Sequence, residues 1–196
     1  MIGLLGILLL FNIFNQTGVE MNNSAETTDE IKVVEIITSK GSIVVHLYCK
    51  KAPATVDNFL AYVDAGFYDG LIFHRVIEDF MVQGGGFFSG LEYKKPIFEP
   101  IVNEAGISQL SNLRGTIAMA RTTDPNSATS QFYINTVDNC RLDWNQYPDG
   151  YGYCVFGKVV EGMEVVDEIE KTPTKTVGNF HDVPLEDIII QKIICH

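Results

Sequence analysis

Residues 73–86 read Phe73-His74-Arg75-Val76-Ile77-Glu78-Asp79-Phe80-Met81-Val82-Gln83-Gly84-Gly85-Gly86. Leu71–Val76 and Phe80–Gln83 are short, apolar, strand-like runs, and a glycine triplet closes the second. The segment Gly84-Gly85-Gly86-Phe87-Phe88-Ser89-Gly90 is glycine-rich but lacks G-x-G-x-x-G spacing, and no helical pattern follows it. A phosphate-cradling loop is therefore disfavoured. The glycines are expected to let the backbone pass close to another element.

The same texture extends in both directions. Val33–Thr38 and Ser42–Tyr48, separated by Ser39-Lys40-Gly41, read as a β-hairpin, with His46 on an outward face. Thr116–Ala120, Gln131–Asn135, Val155–Val160 and Asp187–Ile194 read as further strands. Two helices are expected. The first starts at Pro53, with Thr55 and Asp57 favouring its N-terminal end. It carries Val56, Phe59, Leu60 and Val63 at i, i+3, i+4 and i+7, and stops at Gly66. The second covers Met163–Glu170, with Met163, Val166 and Ile169 at helical spacing. Residues 89–114 show no clear pattern. Many short strands with two helices point to a closed barrel or a sandwich capped by helices.

Common catalytic signatures are missing: no G-x-S-x-G, no H-E-x-x-H and no Walker loop occurs. The four cysteines, Cys49, Cys140, Cys154 and Cys195, show neither C-x-x-C nor paired Cys/His spacing and read as small apolar residues. What stands out is a set of runs in fixed order. Phe73–Ile77 and Phe80–Gly86 are followed by Gly115-Thr116-Ile117-Ala118-Met119-Ala120-Arg121 and Ser127-Ala128-Thr129-Ser130-Gln131-Phe132-Tyr133-Ile134-Asn135. Gly152-Tyr153-Cys154-Val155-Phe156-Gly157-Lys158-Val159-Val160-Glu161-Gly162 closes the set. Together these resemble the cyclophilin family of peptidyl-prolyl cis/trans isomerases over about residues 33–194. Val177–Pro184 resembles the tail of its bacterial members.

The resemblance implies a mainly β fold, a closed eight-stranded antiparallel barrel capped by two helices, with its site in a groove outside the barrel. It implies a prolyl isomerase assisting protein folding. A non-catalytic proline-peptide-binding module or holdase on the same scaffold is the alternative. By motif position Arg75 is the catalytic arginine. Phe80, Met81, Tyr133 and Leu142 form the proline pocket, and Gln83 and Gln131 are the polar pair beside the arginine. Ala120 and Arg121 are the backbone edge that binds the substrate chain, and Tyr153 stands where eukaryotic members commonly have His. The expected partners are proline-containing, unfolded or folding polypeptides, engaged by a monomer. No cofactor, metal or nucleic acid is expected.

Each residue also has a plainer reading. Arg75 alone would be a surface salt-bridge residue, and by composition Phe80, Met81 and Leu142 would be core. Phe132 is assigned to the core, because neighbours in a strand alternate faces. His74 is read as a hydrogen-bonded structural histidine, since amide rotation needs no proton transfer. Glu104 and Asp143 have no partner that the sequence identifies. Three positions depart from the usual family pattern. Arg141 falls where eukaryotic members often carry Trp, while the chain's only tryptophan, Trp144, lies three residues later. This implies weak or no cyclosporin binding with isomerase activity retained. Tyr133 adds a hydroxyl to the usual Q-F-F, and Arg121 is expected to make the groove more basic.

Composition bounds the reading from outside. The chain has 196 residues, 46% apolar and 20% charged, which suits one domain with a real core. Its 14 basic against 25 acidic residues, a net charge of −11, argue against nucleic-acid or anionic-membrane binding. Four of those acids (Glu20, Glu26, Asp29, Glu30) lie in residues 1–30, which hold no Lys or Arg, so residues 31–196 carry 14 basic against 21 acidic residues, net −7. Ile2–Leu10 is an unbroken apolar run, shorter than the roughly 20 residues of a membrane span and of signal-peptide length. Residues 1–20 are thus read as a signal peptide or a mis-assigned start, 21–30 as a polar linker and 31–196 as the isomerase domain. Export to the periplasm is slightly favoured over a cytoplasmic product starting at Met21.

Overall fold

The computed structural model describes residues 30–196. The expectations for a signal peptide and a start at Met21 lie outside the described residues, as does all of the linker but Glu30.

Strands β1 (Ile31–Thr38) and β2 (Gly41–Tyr48) form the expected hairpin, in register from Ile31↔Tyr48 to Thr38↔Gly41. The Thr38 hydroxyl pins its turn, accepting from the backbone N–H groups of Lys40 and Gly41. Val34, Ile36, Ile43, Val45 and Leu47 point inward and are fully buried; His46 faces outward, half-buried.

Helix α1 (Pro53–Asp64) opens with proline in its first turn, where a missing N–H costs nothing. Its free N–H groups are capped from far along the chain. Glu104 Oε1 accepts from the Ala54 N–H at 3.1 Å, and Oε2 from the Thr55 N–H at 2.8 Å and the Thr55 hydroxyl at 2.7 Å. Gly66, at φ +61°, follows its C-terminus as expected. The apolar stripe of α1 plugs the sheet: the Phe59 ring meets Tyr68, Phe132 and Phe156 at 5.3–5.6 Å.

The remaining strands of the main sheet are β3 (Phe73–Ile77), β4 (Met81–Gly84), β5 (Thr116–Met119), β6 (Phe132–Asn135) and β7 (Val155–Glu161), with a last one at Ile190–Cys195. Between them lie the one-turn helix α2 (Ala105–Ser108), helix α3 (Met163–Glu170), and the hairpin β8 (Thr174–Val177) and β9 (Phe180–Pro184), which makes the last strand β10. The eight strands run antiparallel in the order β10-β1-β2-β7-β5-β6-β4-β3.

The expected closed barrel needs one correction. The sheet curls until its edges meet, but no continuous ladder joins β3 to β10. They join only around the Ile72↔Ile189 bridge, where Phe73 N–H donates to Ile188 C=O at 2.9 Å, Ile190 N–H to Leu71 C=O at 2.7 Å and Gly70 N–H to Ile190 C=O at 2.9 Å. Beyond Phe73 the outer edge of β3 is covered by β9 instead. The hairpin therefore shields an edge that would otherwise be exposed.

Period-two alternation on β4, β5 and β6 separates the core from the site. Val82, Ile117, Met119, Phe132 and Ile134 face the main core, which also takes Val166 and Ile169 of α3. Met81, Ala118 and Tyr133 face the other way and form a second buried cluster with Leu142 and Val155. These strands are covered on both faces, which is why all of β5 and β6 is buried. The four cysteines are free thiols.

Candidate active site

One row of paired residues crosses the outer face of the sheet. Arg75 on β3 pairs with Gln83 on β4, Gln83 with Tyr133 on β6, and Tyr133 with Ala118 on β5. A guanidinium, an amide and an apolar floor are thus set side by side by strand register alone. Over this row lies a cavity of about 470 Å³, lined by nine of the ten residues proposed from the sequence: Arg75, Phe80, Met81, Gln83, Ala120, Arg121, Tyr133, Leu142 and Tyr153. The tenth, Gln131, lines an adjoining groove that shares Gln83, Ala120 and Arg121.

Arg75 is half-exposed, and its Nη1 donates to Gln83 Oε1 at 3.4 Å. Gln83 Nε2 donates in turn to Gln131 Oε1 at 3.1 Å, so the two amides form one chain leading to the guanidinium. The glycine triplet makes room for it. A methyl group on Gly86 would stand 2.6 Å from Gln131 Cδ, and one on Gly85 2.9 Å from the Ser130 carbonyl. This is the close approach expected of these glycines, and Gly85 at φ +86° also has a backbone few other residues adopt.

The cavity floor is apolar: Met81, Tyr133 and Leu142 are each at least 93% buried. The hydroxyl that Tyr133 adds finds its partner in Asn112, whose Oδ1 it reaches at 2.8 Å. Burial pushes this phenol well above its usual pKa, so it remains a protonated donor. Asn112 N–H and Nδ2 donate to Asp143 Oδ1 at 2.7 and 3.0 Å, and the Ser111 hydroxyl donates to Asp143 Oδ2. Asp143, without an identifiable partner in the sequence, is the anchor of the cavity wall beside Leu142.

Arg121 does not make the groove basic as expected. Its side chain is 3% exposed and pairs with Asp149. Nε donates to the Gly152 carbonyl and Nη1 to the Thr122 carbonyl, each at 3.0 Å. The guanidinium packs 4.5 Å from the Tyr153 ring and 5.5 Å from that of Tyr147. Its charge is neutralised and it builds the wall. Two lining residues fall outside the set proposed from the sequence, Tyr147 and Arg141. Arg141 lies 4.9 Å over the Phe80 ring, whereas Trp144 lines a separate surface hollow.

His74, next to the arginine, is buried against Phe87 at 4.5 Å, and its Nδ1 has no hydrogen-bond partner among the described residues. Burial first, then the charge of Arg75, lowers its pKa to about 4 against a backbone hydrogen bond to Ile72. At neutral pH the ring is uncharged, consistent with a structural histidine.

Residues 33–194 match the family model described as cyclophilin type peptidyl-prolyl cis-trans isomerase/CLD. The chain belongs to the cyclophilins. This cyclophilin is 51% identical over 162 residues to peptidyl-prolyl cis-trans isomerase B of Escherichia coli, covering 82% of its own length and 98% of that relative. It is 53% identical over 158 residues to peptidyl-prolyl cis-trans isomerase A of Dickeya dadantii, covering 81% of each. Among solved structures it resembles a cyclophilin type isomerase of Cryptosporidium parvum determined in the presence of the dipeptide Ala-Pro. That match has TM-score 0.71 and 30% identity over 84% of this chain and 98% of that one. Like its relatives, this cyclophilin is a peptidyl-prolyl cis-trans isomerase.

Proposed function

We propose that this cyclophilin accelerates rotation about X-Pro bonds in unfolded and folding polypeptides, with Arg75 as the catalytic group. Rotation of a peptide bond faces a barrier of about 18–20 kcal/mol, because the nitrogen lone pair is delocalised into the carbonyl. No bond breaks, so the chemistry calls for neither nucleophile nor metal. The enzyme must hold a twisted amide more tightly than either planar form. As the amide twists, the lone pair localises on the prolyl nitrogen and becomes a hydrogen-bond acceptor. A guanidinium stays charged and offers several donors in a fixed fork, so Arg75 can donate to that nitrogen and still hold the prolyl carbonyl.

Phe80, Met81, Tyr133 and Leu142 grip the prolyl ring while the acyl side turns. The Gln83–Gln131 pair orients Arg75, Tyr153 walls the far side, and the chain edge at Ala120 and Arg121 receives the substrate backbone. The observation that carries this reading is the register-paired row of Arg75, Gln83 and Tyr133 under a single cavity. The Ala-Pro dipeptide used with the Cryptosporidium parvum relative supports a proline-bearing ligand. The test is isomerisation of a proline-containing peptide, followed alongside its binding. Acceleration supports the enzyme; binding without acceleration supports the non-catalytic module. For its destination we propose export, on the strength of the Ile2–Leu10 run. Mass spectrometry of the native protein supports this by an N-terminus near Glu26 and opposes it by one at Met21 or Asn22.

A further inference from the structure

Arg75 is approached from two sides. Gln83 accepts from Nη1, and Asp182 Oδ2 lies 4.0 Å from Nε. Asp182 belongs to β9, in the hairpin whose resemblance to bacterial members came with no functional role. β8 is exposed at every residue, yet β9 is firmly attached. Val183 and Pro184 are buried, and the Phe180 ring meets Phe87 edge-on at 5.3 Å, which in turn packs on His74. Arg75 therefore stands between two cavities, the one over the Gln83–Tyr133 row and a second of about 490 Å³ bounded by His74 and residues 179–182.

The backbone of Asp182 is also unusual. Its φ is +59°, in the left-handed region that glycine enters freely and other residues seldom do, although Asp tolerates it better than most. An aspartate stands where a glycine would sit without strain, and its carboxylate faces the arginine. A positive φ at a side chain that faces the arginine points to a task performed by that side chain.

We propose that Asp182 is a positioning residue for Arg75, drawing Nε–H toward its carboxylate so that the Nη2 tip of the guanidinium is turned toward the bound proline. The inference rests on the reading of Arg75 given above. A long, half-exposed arginine side chain samples many rotamers, and one 3.4 Å hydrogen bond to Gln83 restrains it at a single point. A second contact at Nε, the 4.0 Å ion pair with Asp182, narrows the orientations open to the fork. Among the described residues Nη2 has no hydrogen-bond partner, and it is left to face substrate.

The experiment compares Asp182→Gly, Asp182→Asn, Arg75→Ala and the double variant Arg75→Ala/Asp182→Gly on one X-Pro peptide. It reads kcat and KM separately, with the melting temperature and the Arg75 Nε–Hε resonance. Because both partners are about 40% exposed, the effect is that of a solvent-screened pair: kcat falls about two- to five-fold with KM unchanged. Asp182→Gly is expected to melt at the same temperature or higher, since it relieves the positive φ, while losing activity and shifting the Arg75 Nε resonance. The double variant should be no slower than Arg75→Ala alone. Wild-type kcat in Asp182→Gly beside an inactive Arg75→Ala overturns the inference and leaves the catalytic reading standing. A kcat loss that tracks a lowered melting temperature in Asp182→Gly also overturns it. Full activity in Arg75→Ala defeats the catalytic reading itself.

Discussion

The hydroxyl of Tyr133 donates to Asn112 Oδ1 at 2.8 Å, which ties the floor of the cavity beside Arg75 to the segment that Asp143 anchors. The two ends of this connection differ in weight. Asn112 Oδ1 also accepts from Asn135 Nδ2 at 3.3 Å, so Tyr133→Phe leaves no acceptor orphaned. It is expected to cost about 1 kcal/mol in stability and to keep kcat within about two-fold. Asp143→Ala strips the acceptor from Ser111 and from two donors of Asn112. Its expected cost is about 2–3 kcal/mol, with KM raised because the wall carrying Leu142 loosens. Urea unfolding and peptide kinetics on both variants check the contrast.

Glu104 predicts a stability effect without a catalytic one. It caps α1 from 50 residues away in sequence, and its side chain is buried. Glu104→Ala leaves the Ala54 and Thr55 N–H groups and the Thr55 hydroxyl without this acceptor. The expected loss is about 2–3 kcal/mol in chemical denaturation, with kcat/KM unchanged in the protein that remains folded.

His74 gives the pH dependence. Its ordinary pKa of 6.5 falls to about 4 in the folded state. Above pH 6.5 the ring is neutral in both states and contributes no penalty. As pH falls from 6.5 toward 4, the unfolded chain takes up a proton that the folded one refuses, so stability declines across that window and levels off below it. The full decline from this residue is of order 3 kcal/mol. Urea midpoints between pH 7 and 4.5 should fall more steeply for wild type than for His74→Gln; parallel slopes would show that the ring is not held neutral.

Arg141 bears on inhibitor binding. It occupies the cavity lip over Phe80, while Trp144 lies outside that cavity. No indole is presented there, and cyclosporin is expected to bind weakly while isomerase activity persists. Direct titration checks this, and nanomolar affinity would contradict it.

The sequence made legible whatever alternates or carries a motif. The β1–β2 hairpin follows from in-out alternation between Val33 and Tyr48, and α1 from the Val56–Val63 stripe. The hairpin β8–β9 is not readable this way, because β8 buries nothing and so shows no face. Helix α2 is one turn, too short for a period. The site residues came through motif position, and nine of ten meet in one cavity. Tyr147 was invisible because it projects from an aperiodic loop. Glu104, Asp143 and the Arg121–Asp149 pair were opaque for a related reason: their partners lie 28–50 residues away, and only the folded sheet brings them together.

The central claim is that the Arg75 guanidinium stabilises the twisted amide, and the most direct test is Arg75→Ala on a proline-containing peptide with catalysis and affinity measured together. Losing a donor aimed at charge that develops only in the transition state should lower kcat by about 10²–10³. Peptide affinity, proposed to reside in Phe80, Met81, Tyr133 and Leu142, should change by no more than a few-fold. A variant that isomerises the peptide at the wild-type rate would contradict the account.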